Sequence, residues 1–144
     1  DKRKRVIVSS AHGDPLQFSK VKFIDDVKVW YTCHMYVPTK FTHQGVYEYP
    51  AGVEYPTTTV NKDRLKEALK QVREFQLKND AKIFIGEFSA SIYCDTVSRF
   101  NYVKDCVDIF REYGWNWCYH AWRESPVWKC EGTPILTILQ SSWR

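Results

Sequence analysis

Lys82-Ile83-Phe84-Ile85-Gly86-Glu87-Phe88-Ser89 places a single acid directly behind a short, continuous apolar run. A run of this kind, bounded by polar residues and carrying a Gly, reads as a strand buried on both faces, the type found in parallel sheets covered by helices. Glu87 then stands at the carboxyl end of that strand, where parallel α/β folds carry their chemistry. An acid at a strand end ordinarily does no more than face water. Two further runs strengthen the functional reading. Val27-Lys28-Val29-Trp30-Tyr31-Thr32-Cys33 continues into His34-Met35-Tyr36, and Gly114-Trp115-Asn116-Trp117-Cys118-Tyr119 into His120-Ala121-Trp122-Arg123-Glu124. Three strand ends rich in polar and aromatic residues point to one shared site.

Just upstream, Asn61 reads as a helix cap with Asp63 in the first turn, and Leu65, Ala68, Leu69, Val72 and Phe75 recur at helical spacing to about Lys78. Downstream, a loop to Ser98 leads into a second helix with Phe100, Val103, Val107 and Phe110 on its buried stripe, closed by Gly114. At the start of the chain, Arg5 to Ser10 is a β-branched first strand. Ala11 to Val21, broken by Gly13 and Pro15, is expected to hold little regular structure. Thr39 to Thr59 is long and irregular, and loops of that length in a compact fold tend to be functional. Ile135 to Leu139, behind Pro134, reads as a short last helix. Strand, loop, strand, helix, strand, helix, strand, helix is the pattern of a parallel α/β sheet built from βα units. A (β/α)8 barrel typically takes about 250 residues, so these 144 residues are enough for half of one.

The composition fits a single unit, residues 1–144, that can bury a core: 44% of residues are hydrophobic and 16% aromatic. That excludes disorder for the bulk of the chain. Six Trp and nine Tyr suit a sugar cleft, although cores use them too. The net charge is +4, and much of it lies in Lys2, Arg3, Lys4 and Arg5, a solvated basic tip. Elsewhere acids and bases interleave, so no nucleic-acid partner is expected. Cys33, Cys94, Cys106, Cys118 and Cys130 contain no Cys-x-x-Cys pair, so no metal or cofactor is expected. Cys33 and Cys118 in strands and Cys106 in a helix are expected to behave as small buried hydrophobes. No apolar stretch approaches the roughly 18 residues of a membrane span, and no membrane partner is expected.

His34-Met35-Tyr36-Val37-Pro38, Phe41-Thr42-His43-Gln44-Gly45, Ile85-Gly86-Glu87-Phe88-Ser89 and Gly114-Trp115-Asn116-Trp117-Cys118-Tyr119-His120 together resemble the second half of a glycoside hydrolase family 5 cellulase. The resemblance runs from Arg5 to about Leu139, with the motifs in the family's order. It implies a retaining β-glycanase, most often an endoglucanase acting on β-1,4-glucan, folded as a (β/α)8 TIM barrel. The four strands here would be the fifth to the eighth. Glu87 matches the family's nucleophile, and His34 and Tyr36 match the pair that hydrogen-bonds around the reacting carboxylates. The sugar platform at the end of the last strand would be Trp122 or Trp117, with His120 a third candidate for that wall. His43 is a further substrate-binding candidate. The resemblance also implies an extracellular, secreted protein whose leader lies outside these residues.

A retaining glycosidase needs two carboxyl groups about 5–5.5 Å apart. The family takes its acid/base from an Asn-Glu-Pro motif on the fourth strand, and no such tripeptide occurs in this sequence. Glu48, Glu54, Glu124 and Glu131 are loop acids, of which Glu124 follows a strand end most directly. Four parallel strands also leave two edges and one apolar face to cover. The expected partners are therefore a β-glucan or cello-oligosaccharide, together with a second copy forming a homodimer or a complementing N-terminal half-barrel. In a symmetric pair the two Glu87 residues stand four strands apart, wider than the family's three, which suits the roughly 6.5–9.5 Å separation of an inverting mechanism. The alternatives are a fragment of a longer cellulase and a catalytically inactive half-barrel. In the latter, Tyr31, Tyr36, Trp115, Trp117 and Trp122 would only stack on sugar.

Overall fold

The computed structural model describes residues 4–142. Lys2 and Arg3 of the basic tip lie outside them. Four strands, β1 (Val6–Ser9), β2 (Val29–Met35), β3 (Lys82–Phe88) and β4 (Asn116–Trp117), form one sheet in chain order. All three pairings are parallel. The helices are α1 (Thr39–Thr42), α2 (Lys62–Ala68), α3 (Lys70–Asn79), α4 (Thr96–Tyr113) and α5 (Ile135–Ser141).

Alternation along the strands separates a helix-covered face from an open one. Tyr31, Cys33, Met35, Ile83, Ile85 and Phe88 are buried. Tyr31 meets Phe75 of α3 edge-on at 4.7 Å, and Phe88 meets Phe110 of α4 edge-on at 5.0 Å. Arranged this way, the aromatic rings add edge-to-face attraction to their buried area. Thr32 and His34 point the other way, where their side chains come up against Gly86.

The register decides where Glu87 goes. Cys33 pairs with Ile85, but His34 pairs with Glu87, so Gly86 is an extra residue in β3. Strict alternation would send Glu87 after Ile83 and Ile85 into the helix-covered core. A bulge re-aims the side chains that follow it; here it turns Glu87 to the open face beside His34 and gives the core position to Phe88. Only glycine fits the extra place. A Cβ on Gly86 would stand 2.9 Å from Thr32 Oγ1 and 3.1 Å from His34 Nε2.

Several boundaries differ from the sequence expectations. Strand β2 starts at Val29 because Asp26 forms a turn, accepting from Val29 N through its carbonyl and from Lys28 N through its carboxylate. The strand reaches Met35 and includes His34. Ala11 to Val21 is more regular than expected. It contains two 3-10 turns, Ala11–Gly13 and Pro15–Lys20, the second capped by the Asp14 side chain. The long irregular segment opens with the short α1. The helix capped by Asn61 breaks at Leu69 into α2 and α3, and Leu65, Leu69 and Val72 remain buried across the break. Asp95 caps α4 through Val97 N and Ser98 N, starting it at Thr96 instead of Ser98. Strand β4 is only two residues long, and Cys118 is exposed instead of buried. Cys33 and Cys106 are buried.

Gly86→Ala should cost roughly 1–3 kcal/mol, because Thr32 is β-branched and packed and cannot retreat cheaply from a new methyl group. Urea denaturation checks this, and an unchanged midpoint would contradict the close approach.

Candidate active site

Glu87 is held from one side. Tyr36 Oη donates to Glu87 Oε2 at 3.0 Å, and His34 Nδ1 lies 3.7 Å from the same oxygen. The Glu87 side chain keeps 41% of its exposure, so the carboxylate is open to solvent on the uncovered face of the sheet. Burial, followed by the Glu87 charge, pushes the Tyr36 phenol above its ordinary range. Tyr36 therefore stays a protonated donor throughout the useful pH range. Among the described residues no hydrogen bond to Glu87 Oε1 is formed, so that oxygen is free to meet another reactant.

The shell behind these residues is set by α1 and the loop after it. Thr42 Oγ1 donates to the Tyr36 carbonyl at 2.7 Å. Tyr36, His43 and Trp128 pack on one another, with ring centroids 5.3, 4.8 and 5.8 Å apart. Burial lowers the His43 pKa. The buried Gln44 carboxamide ties the loop together, donating to Val53 O and accepting from Gly52 N and Val53 N. Gly45 lies at φ +74°, and a Cβ there would stand 2.5 Å from Tyr93. Thr42, His43, Gln44 and Gly45 thus each have a physical reason to be what they are. Trp128 is placed from the other side. Arg99, 5% exposed, donates to Ala90 O, Lys129 O and Trp128 O, fastening the loop after β4 onto α4.

Residues 6–126 match the family model of cellulase, glycosyl hydrolase family 5. The chain belongs to glycosyl hydrolase family 5. Among curated relatives, Endoglucanase C of Acetivibrio thermocellus is 26% identical, over 71% of this chain and 38% of its own length. A solved hyperthermophilic endo-β-1,4-glucanase in complex with substrate is 26% identical with a TM-score of 0.78, covering 94% of this chain and 47% of that one. Endoglucanase Cel5A of Thermotoga maritima, at 24% identity, shares the fold with a TM-score of 0.83 over 99% of this chain and 48% of its own. The chain thus spans about half the length of those barrels, and two-fifths of the curated relative.

Of the family 5 site residues expected from sequence, the structure brings Glu87, His34 and Tyr36 together and sets His43 one aromatic ring away. His120 is half-buried at the end of the sheet, its N–H donating to Phe88 O at 3.3 Å. Trp122 is 46% exposed in the loop beyond β4. Trp117 is a correction. It pairs with Ile85 and meets Phe88 edge-on at 5.4 Å, so it packs on the helix-covered face, away from Glu87. Tyr31 and Trp115 are buried as well and offer no sugar platform. Tyr31 packs on Phe75, and Trp115 donates to Gln76 Oε1. Glu124 is exposed, and its own and the Arg123 backbone N–H groups lower its pKa, the opposite of what a general acid needs. Glu131 lies 3.6 Å from Arg123. Trp128 and Arg99 were not anticipated, nor were Tyr47 and Tyr49, whose rings lie 6.3 and 6.0 Å from that of His43.

Because His43 titrates lower in the folded chain, the unfolded chain binds the extra proton. The neutral ring's contribution is whole above the ordinary imidazole range, near pH 6.5, and is lost as pH falls through it. Urea midpoints measured from pH 7.5 down to 5 should fall less in His43→Gln than in the unaltered chain. Parallel curves would contradict the burial of His43 as a neutral ring.

Proposed function

We propose that this chain carries the nucleophile side of an endo-β-1,4-glucanase site, with Glu87 as the nucleophile. The observation that carries this is the part-exposed Glu87 carboxylate at the end of β3, with one oxygen held by Tyr36 and the other without a hydrogen bond among the described residues. In a retaining hydrolysis such a carboxylate attacks the anomeric carbon while an acid protonates the leaving oxygen; water then releases the glycosyl-enzyme. The neutral Tyr36 phenol orients Glu87 without neutralising it. His34 flanks the same oxygen and limits its rotation.

The acid/base comes, in this reading, from four further strands that close the barrel. Ile7, on the open edge strand β1, is 55% exposed and supplies part of the apolar surface such a closure covers. A complementing half with the family's Asn-Glu-Pro strand brings the acid within the roughly 5–5.5 Å of a retaining pair, whereas a second copy of this chain yields the wider inverting spacing. Residues 1–144 are then one half-barrel unit. The substrate is a β-glucan or cello-oligosaccharide, and a polymer of that kind is met outside the cell, so secretion belongs to the same reading. Among the described residues no helix is long and apolar enough to cross a membrane.

A 2,4-dinitrophenyl 2-deoxy-2-fluoro-β-cellobioside tests the nucleophile separately from the acid. Its leaving group departs as an anion without protonation, and the fluorine slows release of the ester. Mass spectrometry should find one fluorocellobiosyl group on the peptide containing Glu87 and none in Glu87→Gln. Tyr36→Phe should label about tenfold more slowly, for the loss of one hydrogen bond to a charged group. Labelling elsewhere, or none, would overturn the assignment.

A further inference from the structure

The hydroxyl of Thr42 lies against one ring nitrogen of His43. Thr42 is fully buried. Its Oγ1 stands 2.7 Å from Tyr36 O, with Pro38 O and Thr39 O at 3.4 and 3.5 Å, and 2.9 Å from His43 Nδ1. A threonine hydroxyl has one hydrogen to give and two lone pairs with which to accept, whereas carbonyl oxygens only accept. Two neutral oxygens approach to 2.7 Å only with a hydrogen between them. The Thr42 hydrogen is therefore spent on Tyr36 O, and His43 Nδ1 must donate to the hydroxyl oxygen. A neutral imidazole has one N–H, so Nε2 is left with a bare lone pair. Burial keeps the ring neutral at neutral pH.

The surroundings of that lone pair suit a sugar. Among the described residues no hydrogen bond to His43 Nε2 is formed. One border of the ring is Tyr36, whose hydroxyl binds Glu87. Another is Trp128 at 4.8 Å, and a third is Tyr47, 83% exposed and nearly parallel to the imidazole at 6.3 Å. An exposed flat ring such as that of Tyr47 is the kind of surface the apolar face of a pyranose packs against. Resting on the glucanase reading above, we propose that Thr42 is a positioning residue that fixes His43 as the Nδ1–H tautomer, so that Nε2 accepts a hydroxyl hydrogen from a glucosyl unit bound beside Glu87. The opposite tautomer would present an N–H donor at the same point.

Nitrogen-15 NMR on the chain labelled at its four histidines, with His43 assigned by its loss in His43→Gln, reads each ring nitrogen as protonated or lone-pair type. The expected result is a protonated Nδ1 and a lone-pair Nε2 in the unaltered chain and in Thr42→Ser. That bias should be lost in Thr42→Val, and cellotetraose should shift Nε2 and bind about fivefold more weakly to Thr42→Val. A protonated Nε2 in the neutral unaltered ring, or an unchanged tautomer in Thr42→Val, would overturn the inference. If Thr42→Val does not fold, the unaltered chain and Thr42→Ser still decide the tautomer. Cellotetraose that moves the Tyr36 and Trp128 signals but not Nε2 overturns this inference and leaves the glucanase reading standing. Cellotetraose that moves none of them overturns both.

Discussion

The register shift between β2 and β3 is the constraint on which the site depends. One extra residue, Gly86, separates the Cys33–Ile85 pair from the His34–Glu87 pair. Without it Glu87 would point into the layer of Phe88, Phe110 and Trp117, where an unpaired carboxylate is costly to bury. With it, the acid comes level with His34 and within hydrogen-bond reach of Tyr36. The same shift fills the core position with Phe88, so the bulge serves packing and chemistry together. It is available only to a residue without a side chain, because Thr32 and His34 already occupy the space.

Around that fixed point the polar groups are arranged in layers. Tyr36 bonds the carboxylate, Thr42 bonds the Tyr36 carbonyl, and Gln44 closes the loop that follows. These bonds are buried or half-buried, and a buried polar group that loses its partner costs more than the bond itself contributes. The Thr-His-Gln-Gly loop is therefore rigid for reasons that do not involve substrate, and that rigidity orients His43 and Tyr36. Arg99 does the equivalent for Trp128 by bonding the carbonyls of a loop that has no regular structure of its own.

Most of the sheet was legible because β3 is a continuous apolar run and the helices carry clear stripes. That Glu87, His34 and Tyr36 come together was legible from motif order. The phase of β4 was not. Whether Trp117 faces the cleft or the helices turns on its pairing with Ile85 across the sheet, which a two-residue strand does not announce by alternation. Tyr31 and Trp115 misled for a related reason, since the same rings that stack on sugars also fill cores. Trp128 was hidden because its place depends on bonds to residues distant in sequence, from Arg99 to its carbonyl and from Ile92 N to the Val127 carbonyl before it. The break at Leu69 left no trace because Leu65, Leu69 and Val72 stay on one stripe on both sides of it.

Chemical rescue of Glu87→Gly tests the central claim most directly. Removing the carboxylate should stop release of dinitrophenolate from 2,4-dinitrophenyl β-cellobioside, the step that needs no acid, and azide added in its place should attack the same face of the anomeric carbon. The predicted product is α-cellobiosyl azide, formed as dinitrophenolate leaves and identified by NMR. Unimpaired turnover without azide, or a product of β configuration, would contradict Glu87 as the group that attacks the sugar.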